Sequence, residues 1–514
     1  MRRTSRLVVT AVAAALAVTA TVQPTLAGVS ATAKGGDRAV LREYVADTWR
    51  SMAAMADPGT GLVSDNIGGD LDPADRAAYT SPTNIGAYLW STVVARATGL
   101  ISGGEARRRI ALTLETLPKM EKHEPSGMFF NWYDPKTGAK LTTWPANGDV
   151  VHPFVSSVDN AWLAVGLQIV IDQVPSLAKQ AHRVLDPMDF GYYYDPQVNQ
   201  IRGGFWLDQQ PGSVPGNYRG GDTVYYTGHH YGAFNTEPRM ASYLGIAANQ
   251  IPQKHYFGTW RTFPLVTDNN PCYWGWTEQK PVGHDATYLG QTVFEGAYQY
   301  RGMKLVPTWG GSMFEALMVP LFVPEDKWGT RSWALTHPVY VRAQIEHGMD
   351  EAKYGYWGFS PSNNPAGGYR EYGVDAIGME PNGYASDQER TYVDYGYEGC
   401  RPAQPAPTAY GQGVVTPHAS FLAYRYAPEA ALKNLAKLRT NLGAYGPGGF
   451  YDSVNVATGQ LSERYLSLDQ GMVMAALGNA LAGDVMRKAF LHGPMEDRVA
   501  PLMRMEEFSG VTGR

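Results

Sequence analysis

Residues 154–172 read FVSSVDNAWLAVGLQIVID, and this stretch decides the fold class. Two serines and Asp159 stand where a helix would begin, and the residues after them are almost all apolar. Gly166, Gln168 and Asp172 interrupt the apolar run, which is too short for a membrane span. The pattern therefore predicts a helix over 158–172 that is buried in the core of a large helical protein.

Ten other segments have the spacing of apolar residues that is typical of helices. In the first of them, Leu41, Tyr44 and Val45 share one stripe. Strand patterns are few and short, and 203–206 and 448–451 are predicted as turn or hairpin pieces. The chain is therefore predicted to be all-α, with long loops and short hairpins. The ten further helices are predicted over 38–55, 84–98, 102–117, 236–248, 311–321, 336–352, 418–426, 427–442, 468–482 and 484–491.

Two arrangements of consecutive helices fit this pattern: a closed toroid of alternating inner and outer helices, and an open helical solenoid. The chain has no fixed-period repeat of the solenoid kind, so we favour the toroid. No low-complexity linker or charge block divides the chain, and we predict one domain over 38–490. Residues 28–37 and 491–514 are predicted as N-terminal and C-terminal tails.

The N-terminus has the layout of a secretory signal peptide. Three arginines among the first six residues precede an uncharged apolar run over 7–22, and residues 25–27 (TLA) offer a cleavage site. We therefore predict a signal peptide over 1–27 and a secreted protein, with an uncleaved anchor as the alternative. No later stretch is apolar enough to span a bilayer, so no membrane partner is expected after cleavage.

Composition narrows the range of partners. The 514 residues include 43 basic and 48 acidic side chains, a balance that argues against nucleic acid or an anionic membrane as partner. Aromatic residues make up 12% of the chain and charged residues only 18%, which suits either sugar binding or a large core. Cys272 and Cys400 can form a disulfide in an oxidising compartment. The sequence indicates neither whether they meet nor the oligomeric state.

Hydrolysis of a glycosidic bond commonly uses two carboxyl groups, one to protonate the leaving oxygen and one to activate water or attack the sugar. Each candidate has a structural alternative. Asp159 can cap its helix, and an ion pair with Arg239 would lower the pKa of Glu237, which does not suit a general acid. Together, however, the candidates favour an acid-lined cleft. Five acids lie in apolar or aromatic settings: Asp159, Glu237, Glu315, Asp452 and Asp469.

Other chemistries lack their motifs in this sequence. The histidines, including the pair His229 and His230, do not have the spacing of a zinc site. Two cysteines are too few for a Cys-rich zinc site. There is no Gly-x-Ser-x-Gly elbow, no Walker A loop and no convincing dinucleotide-binding Gly-x-Gly-x-x-Gly after a strand. We therefore predict no metal and no cofactor.

Six motifs occur in a recognisable order: TSPTNIGAYL (80–89), FNWYD (130–134), VSSVDN (155–160), WGGSMFE (309–315), GGFYD (448–452) and LDQG (468–471). In this order they resemble the glycoamylase-like domain of glycoside hydrolase family 144 and its relatives, a domain that also occurs in cyclic β-1,2-glucan synthases. The resemblance covers nearly all of residues 38–490. It implies an (α/α)6 barrel that hydrolyses a β-1,2-linked glucan with inversion and without a metal.

The resemblance also implies roles for single residues. Glu237 matches the candidate general acid, Asp159 an essential acid near the cleft, and Asp469 a further cleft acid, which we take as the candidate base. The family's proton route can pass through substrate hydroxyls and water, so a base need not lie beside the reacting carbon. A polysaccharide or oligosaccharide substrate is expected to contact Trp132, Tyr133, Trp162, His230, Trp309, Glu315, Trp357, Asn363 and Asp452.

Two departures from the family pattern leave the linkage and the sugar open. Asn363, in the stretch PSNNP (361–365), stands where the family commonly has the acid of an Ala-Ser-Asp-Gly-Pro stretch, and the loop over 380–411 is longer than usual. The alternatives are a glycosidase that acts on an α-glucan or another glycan, a polysaccharide lyase, and a secreted glycan-binding protein without activity. The acidic net charge argues against the polyanionic substrate of a lyase.

Overall fold

The computed structural model of the protein describes residues 35–263, 279–379, 413–508 and 510–511, all within one compact unit, Ala31–Arg514. The described chain is mostly helical. Its helices are α1 Gly35–Met55, α2 Pro82–Ala97, α3 Gly103–Thr116, α4 Ser157–Gln173, α5 Ala178–Leu185, α6 Arg239–Ala247, α7 Met313–Leu317, α8 Glu325–Trp328, α9 Trp333–Glu346, α10 Pro417–Ala423, α11 Pro428–Leu442, α12 Ser467–Leu481, α13 Val485–Lys488, α14 Pro494–Arg498 and α15 Ala500–Met505.

Each predicted helix is confirmed, with ends that differ by a few residues. Helix α4, for example, begins at Ser157 because the hydroxyl of Ser156 accepts the N–H of Asp159 and caps the helix. Helices α5, α8, α14 and α15 are not predicted from the sequence. None of these is longer than eight residues, which is too short to show a repeated apolar spacing.

Short antiparallel sheets of two to four strands connect the helices. The predicted all-α class is therefore confirmed only as a mostly helical chain, although the predicted pieces at 203–206 and 448–451 do form strands β7 and β18. The strands are β1 Asn66–Gly68, β2 Lys122–His123, β3 Met128–Phe129, β4 Phe154–Ser156, β5 Tyr194–Asp195, β6 Gln200–Arg202, β7 Gly204–Trp206, β8 Val214–Asn217, β9 Thr223–Tyr226, β10 His230–Tyr231, β11 Val282–Tyr288, β12 Gln291–Tyr300, β13 Met303–Leu305, β14 Ser362–Asn363, β15 Tyr369–Arg370, β16 Val414–Val415, β17 Tyr445–Gly446, β18 Gly449–Phe450, β19 Ser453–Asn455, β20 Leu461–Ser462 and β21 Arg464–Leu466.

The longest hairpin, β11 with β12, has no signal in the sequence that we recognise. Its turn is formed by Leu289 and Gly290, both at positive φ, and Tyr288 pairs with Gln291 across it. Two-residue turns of this kind usually have the sequence Asn-Gly or Asp-Gly. The Leu-Gly sequence at this turn does not predict a hairpin.

The centre of the core is the close crossing of α2 and α4. A Cβ atom on Gly86 would collide with the carbonyl oxygen of Trp162, and one on Gly166 would collide with the backbone of Gly86. The glycine that interrupts the apolar run of α4 therefore permits the two backbones to approach. Helix α12 packs on α2, where Trp90 of α2 donates its indole N–H to the carbonyl oxygen of Gly471 in α12 at 2.9 Å.

This packing brings the N-terminal ends of α2 and α4 to one place. Thr83, in the first turn of α2, donates a hydrogen bond to Asp159, in the first turn of α4, over 2.7 Å. Strand β4, which leads into α4, pairs with β7 and places Val155 opposite Phe205. The sheet thus fixes where α4 begins and where its first acidic side chain lies.

The predicted C-terminal tail is wrong for most of its length. Helices α14 and α15 pack on the domain, with Val499, Leu502 and Met503 buried, and Glu506 forms a fully buried ion pair with Arg261. The predicted signal peptide, Cys272, Cys400 and the loop over 380–411 lie outside the described residues. Among the helices that the structure describes, none alone is both long and apolar enough to cross a membrane, and the pair Ser157–Gln173 and Pro175–Leu185 passes only with a bend of 116°.

Candidate active site

A cavity of about 800 Å³ opens where the starts of α2 and α4 meet the loop before α6 and the start of α7. It combines acidic groups with flat apolar rings, as the sequence predicts for the cleft. Its carboxyl groups are Asp65, Asp159, Glu237, Glu315 and Glu371. Its aromatic residues are Tyr79, Trp132, Trp144, Trp162, Tyr231, Trp309, Phe314 and Tyr369.

Glu237 lies in the loop immediately before α6, not inside the helix that the sequence predicts. Its side chain is half-buried, and its Oε2 accepts the indole N–H of Trp162 over 2.6 Å. Burial, reinforced by the negative charges of Glu315 and Asp159, raises the pKa of Glu237 to about 8. At neutral pH this carboxyl therefore holds a proton that it can donate.

The alternative in which Arg239 pairs with Glu237 is wrong. The guanidinium of Arg239 points to Glu325, with Nε to Oε1 at 2.8 Å and Nη2 to Oε2 at 3.1 Å. Both side chains are buried. Because Arg239 is engaged elsewhere, its charge lowers the pKa of Glu237 by less than burial raises it.

Asp159 presents its carboxyl to the cavity, while the capping of α4 falls to Ser156. The Oδ1 atom of Asp159 accepts the hydroxyl of Thr83 at 2.7 Å. Within the described ranges no residue donates to its Oδ2 atom. Asp159 is therefore held from one side and has an oxygen available to water or a sugar hydroxyl.

Glu315 is a second buried carboxyl on the wall. It is 8% exposed, and its Oε2 accepts the hydroxyl of Thr236 and, at 3.2 Å, the backbone N–H of Trp309. Burial raises its pKa to about 7. Since Thr236 precedes Glu237 in the chain, this hydrogen bond also couples the positions of the two glutamates.

Asp65 and Glu371 are lining acids that the sequence does not single out. Asp65 accepts side-chain N–H groups from Asn84 at 2.9 Å and Asn66 at 3.0 Å, and burial raises its pKa. Both acids lie in irregular segments, away from a helix start with apolar periodicity. Only the long-range packing of these segments brings them to the cavity.

Asp469 and Asp452 do not line the cavity. Each is 2% exposed, and the two carboxyls hydrogen-bond to each other. Asp452 also accepts the backbone N–H of Asn363, which does line the cavity, at 2.6 Å. Burial raises the pKa of Asp469 to about 7. These predicted site residues therefore form a layer behind the wall.

His418 also belongs to this layer behind the wall, and together the three residues offer the types of ligand atom that bind cations. Ligand atoms of His418, Asp452 and Asp469 lie within 4.8 Å of one another. The ring nitrogens of His418 already face the hydroxyls of Thr416 at 2.8 Å and Ser360 at 2.9 Å. Because the two carboxyls hydrogen-bond to each other, they can share one proton between them.

Aromatic residues form a platform at one part of the wall. The ring of Tyr79 lies 5.5 Å from Trp132 and 4.6 Å from Trp144, and the two indoles are 5.9 Å apart. All three are partly exposed, as rings that stack on sugars must be. Trp132 is predicted from the sequence, whereas Tyr79 and Trp144 are not.

The remaining predicted sugar-binding residues divide into two groups. Trp162, Trp309 and Asn363 line the cavity, as does His230, whose Nε2 lies 3.0 Å from Asp195. The prediction is wrong for two others. Tyr133 is fully buried and donates its hydroxyl to the carbonyl oxygen of Glu121 at 2.6 Å, and Trp357 is buried in the hydrophobic core.

Two family models match parts of the chain. Residues 272–492 match the model described as "Putative glucoamylase", and residues 43–207 match one described as "Protein of unknown function (DUF3131)". The first range contains Glu315 and Asn363, and the second contains Asp159. Among curated proteins, the cyclic β-(1,2)-glucan synthase NdvB of Rhizobium meliloti (strain 1021) is 28% identical over 285 residues. The match covers 53% of this chain and spans only 8% of that relative's length.

Solved structures share the fold at low sequence identity. An endo-β-1,2-glucanase from Chitinophaga pinensis superposes with a TM-score of 0.60 at 17% identity, covering 92% of this chain and 98% of that one. The endo-β-1,2-glucanase from Talaromyces funiculosus gives 0.61 at 13% identity, with 93% and 90% covered. A β-1,2-glucanase from Parabacteroides distasonis gives 0.64 at 15% identity, with 91% and 60% covered. The predicted resemblance is confirmed to this extent: residues 272–492 match the glucoamylase family model, and the chain shares its fold with these glucanases.

Proposed function

We propose that the protein is a secreted glycoside hydrolase that cleaves a β-1,2-linked glucan with inversion at the anomeric carbon. The observation that carries the proposal is Glu237, a carboxyl with a pKa raised to about 8 on the wall of an aromatic cavity with four further acids. The linkage is suggested by relatives whose names specify β-1,2-glucan, one of them a synthase and the others glucanases.

Glu237 serves as the general acid in this proposal. Below about pH 8 it is mostly protonated, and it passes its proton to the glycosidic oxygen as the bond to the anomeric carbon breaks. The departing sugar leaves with a neutral hydroxyl group. The indole N–H of Trp162 then stabilises the carboxylate that remains on Glu237.

Inversion also requires a carboxylate that takes a proton from the attacking water on the opposite face of the sugar ring. Asp159 can do so directly, because it lines the cavity and only its Oδ1 has a donor among the described residues. Asp469 can receive the proton only by a relay, since it lies behind the wall and bonds to Asp452. Position therefore favours Asp159 over the base that the sequence suggests.

The aromatic platform of Tyr79, Trp132 and Trp144 supplies the sugar-binding surface. Apolar faces of glucose rings stack on such side chains, while the polar groups beside them bind hydroxyls. His230 is suited to the second task because Asp195 holds its Nε2 at 3.0 Å and fixes the ring.

The proposal includes a closed (α/α)6 barrel and export from the cell. Closure is supported by the contact of α1 and α2 with α12, which joins the first long helices to the last one. Export is supported by the signal-like segment 1–27. Sequencing the N-terminus of protein recovered from culture medium tests the second point, and a start near residue 28 is expected.

The activity test uses the mature protein with linear and cyclic β-1,2-glucans, an α-glucan and a panel of other polysaccharides. We expect new reducing ends and short β-1,2-linked products, and Glu237→Gln should lose turnover while still binding oligosaccharide. Activity on a different polymer alone would keep the hydrolase and discard the linkage, with Asn363 as the first residue to exchange. Binding without turnover on any polymer would favour the glycan-binding alternative.

A further inference from the structure

A fully engaged arginine lies directly beneath the cavity wall. Arg239 is 4% exposed, and its five N–H groups all have acceptors. Two of them bind the carboxylate of Glu325. The others donate to carbonyl oxygens of Thr236, Glu315 and Ala316, each at 2.8 Å. An arginine with this many fixed contacts acts as a rigid clamp.

The three carbonyl groups belong to the two segments that carry the cavity's glutamates. Thr236 directly precedes Glu237, while Glu315 and Ala316 lie in α7. The hydroxyl of Thr236 also donates to the carboxylate of Glu315. The spacing of Glu237 and Glu315 therefore depends on one guanidinium that itself does not line the cavity.

Glu325 holds the guanidinium in this orientation. Its carboxylate also accepts the hydroxyl of Tyr243 at 2.9 Å and faces Nε2 of His337 at 3.0 Å. Despite complete burial, the pKa of Glu325 lies below its ordinary value, above all through the charge of Arg239. Glu325 is thus a buried carboxylate whose charge compensates that of Arg239.

We infer that Arg239 and Glu325 are a positioning pair for the acid of the proposed reaction: Arg239 fixes the two segments that carry Glu237 and Glu315, and Glu325 directs the guanidinium charge away from Glu237. This inference rests on the proposed role of Glu237 and adds two residues that do not touch the substrate. A buried ion pair that only contributes to folding would have no effect on Glu237.

The charges around Glu237 make the inference measurable. The ionisable groups that interact electrostatically with it are Asp159 from α4, Glu315 from α7, Arg239 from α6, Tyr231 from β10 and Tyr369 from β15. Arg239 is the one cation among these five, and it favours the carboxylate form. Without the negative charge of Glu325, the attraction of Arg239 for that carboxylate is no longer compensated, so Glu237 would release its proton at lower pH.

The test compares Glu325→Gln with Glu506→Gln. Glu506 forms an equally buried ion pair with Arg261, and neither residue lines the cavity, so this variant controls for the loss of a buried charge pair. Carbon-13 carboxyl resonances are titrated by NMR, and Glu237→Gln assigns the resonance of Glu237. We expect Glu325→Gln to lower the titration midpoint of Glu237 by roughly one pH unit and Glu506→Gln to leave it unchanged.

A second variant covers the case in which Glu325→Gln does not fold. Arg239→Met combined with Glu325→Leu replaces the pair by apolar side chains, a change that buried ion pairs often tolerate. Here kcat should fall with little change in KM, because the anchors of both segments are lost, and the midpoint of Glu237 should not fall. An unchanged midpoint in folded Glu325→Gln, or an unchanged kcat in the apolar variant, would overturn the inference. The NMR titration needs no turnover, so it tests this inference even if the protein does not cleave β-1,2-glucan.

Discussion

The indole N–H of Trp162 donates to Oε2 of Glu237 over 2.6 Å, and this bond joins the loop before α6 to helix α4. Trp162 is 1% exposed, so the donor has a fixed position. A hydrogen bond to a carboxylate favours the ionised form, whereas burial favours the neutral form, and burial has the larger effect on the pKa of Glu237. The bond therefore limits how far the pKa of the proposed acid rises.

Replacing Trp162 by Phe should extend the pH range of activity upward. The variant loses the hydrogen bond that lowers the pKa of Glu237, so that pKa should rise above about 8. Because an acid must be protonated to act, activity falls as pH increases through its pKa, and the alkaline limb of the kcat/KM profile should move to higher pH. Initial rates on β-1,2-glucan between pH 5 and 10 measure the shift.

The control for this prediction is Trp90→Phe. Trp90 lies beside Trp162, with ring centroids 6.3 Å apart, but its N–H binds the carbonyl oxygen of Gly471 and its ring does not line the cavity. Both variants lose similar volume from the core. An equal shift in both profiles, or no shift in Trp162→Phe, would contradict the assignment of the alkaline limb to Glu237.

Asp159→Asn and Asp469→Asn should separate the two candidates for the base. If Asp159 activates the water, Asp159→Asn should lower kcat by roughly 10²- to 10⁴-fold with a smaller change in KM. Asp469→Asn should lose less, since Asn can still hydrogen-bond to Asp452 behind the wall. Single-turnover rates give the comparison, and proton NMR of the first products should show the inverted anomer. A larger loss in Asp469→Asn would assign the base to the relay.

Trp144→Ala should weaken substrate binding more than chemistry. Trp144 belongs to the aromatic platform, where its ring contacts Tyr79 and Trp132, so its loss should raise KM about fivefold, equivalent to about 1 kcal/mol, with kcat nearly unchanged. Trp206→Ala is the matched control, because Trp206 packs on Phe154 in β4 outside the cavity. A kcat loss as large as the KM change would mean that the platform holds the reacting sugar itself.

The sequence predicts those parts of the site that coincide with helix starts. Asp159 and Glu315 stand in the first turns of helices, and the change from polar to apolar spacing marks such positions. Asp65 lies between α1 and α2 and reaches the cavity only through the fold of its loop. No local pattern indicates that position, which explains why a lining acid is missed.

Local sequence patterns also do not predict which of two neighbouring side chains points into the core. Tyr133 follows Trp132 directly, yet Trp132 joins the aromatic platform while Tyr133 points into the core. Likewise, the nearest cation in sequence to Glu237 is Arg239, but its partner is Glu325, which is 86 residues away. Periodicity predicts which helices exist, whereas these choices depend on contacts between segments that are distant in the chain.

Glu295 should make the folded protein less stable as pH rises. This carboxyl in β12 is 2% exposed, and burial together with the charge of Glu506 raises its pKa to about 8. Between an ordinary pKa of 4.5 and about 8, the folded state therefore holds a proton that the unfolded chain has released. Because the folded state binds more protons than the unfolded chain in this range, raising the pH favours unfolding. The free energy of unfolding should therefore fall from about pH 4.5 to about pH 8.

Glu295→Gln should flatten this dependence, because Gln keeps the size of the side chain and does not ionise. Thermal unfolding at pH 5, 6.5 and 8 is expected to show a decrease in Tm for the unmodified protein and a smaller decrease for the variant. Glu115→Gln, which changes an exposed acid on α3, should follow the unmodified protein. Other buried acids, including Glu237 and Glu315, act in the same direction, so the dependence should be reduced and not abolished. A slope in Glu295→Gln equal to that in Glu115→Gln would show that Glu295 is already ionised in the folded protein at pH 5.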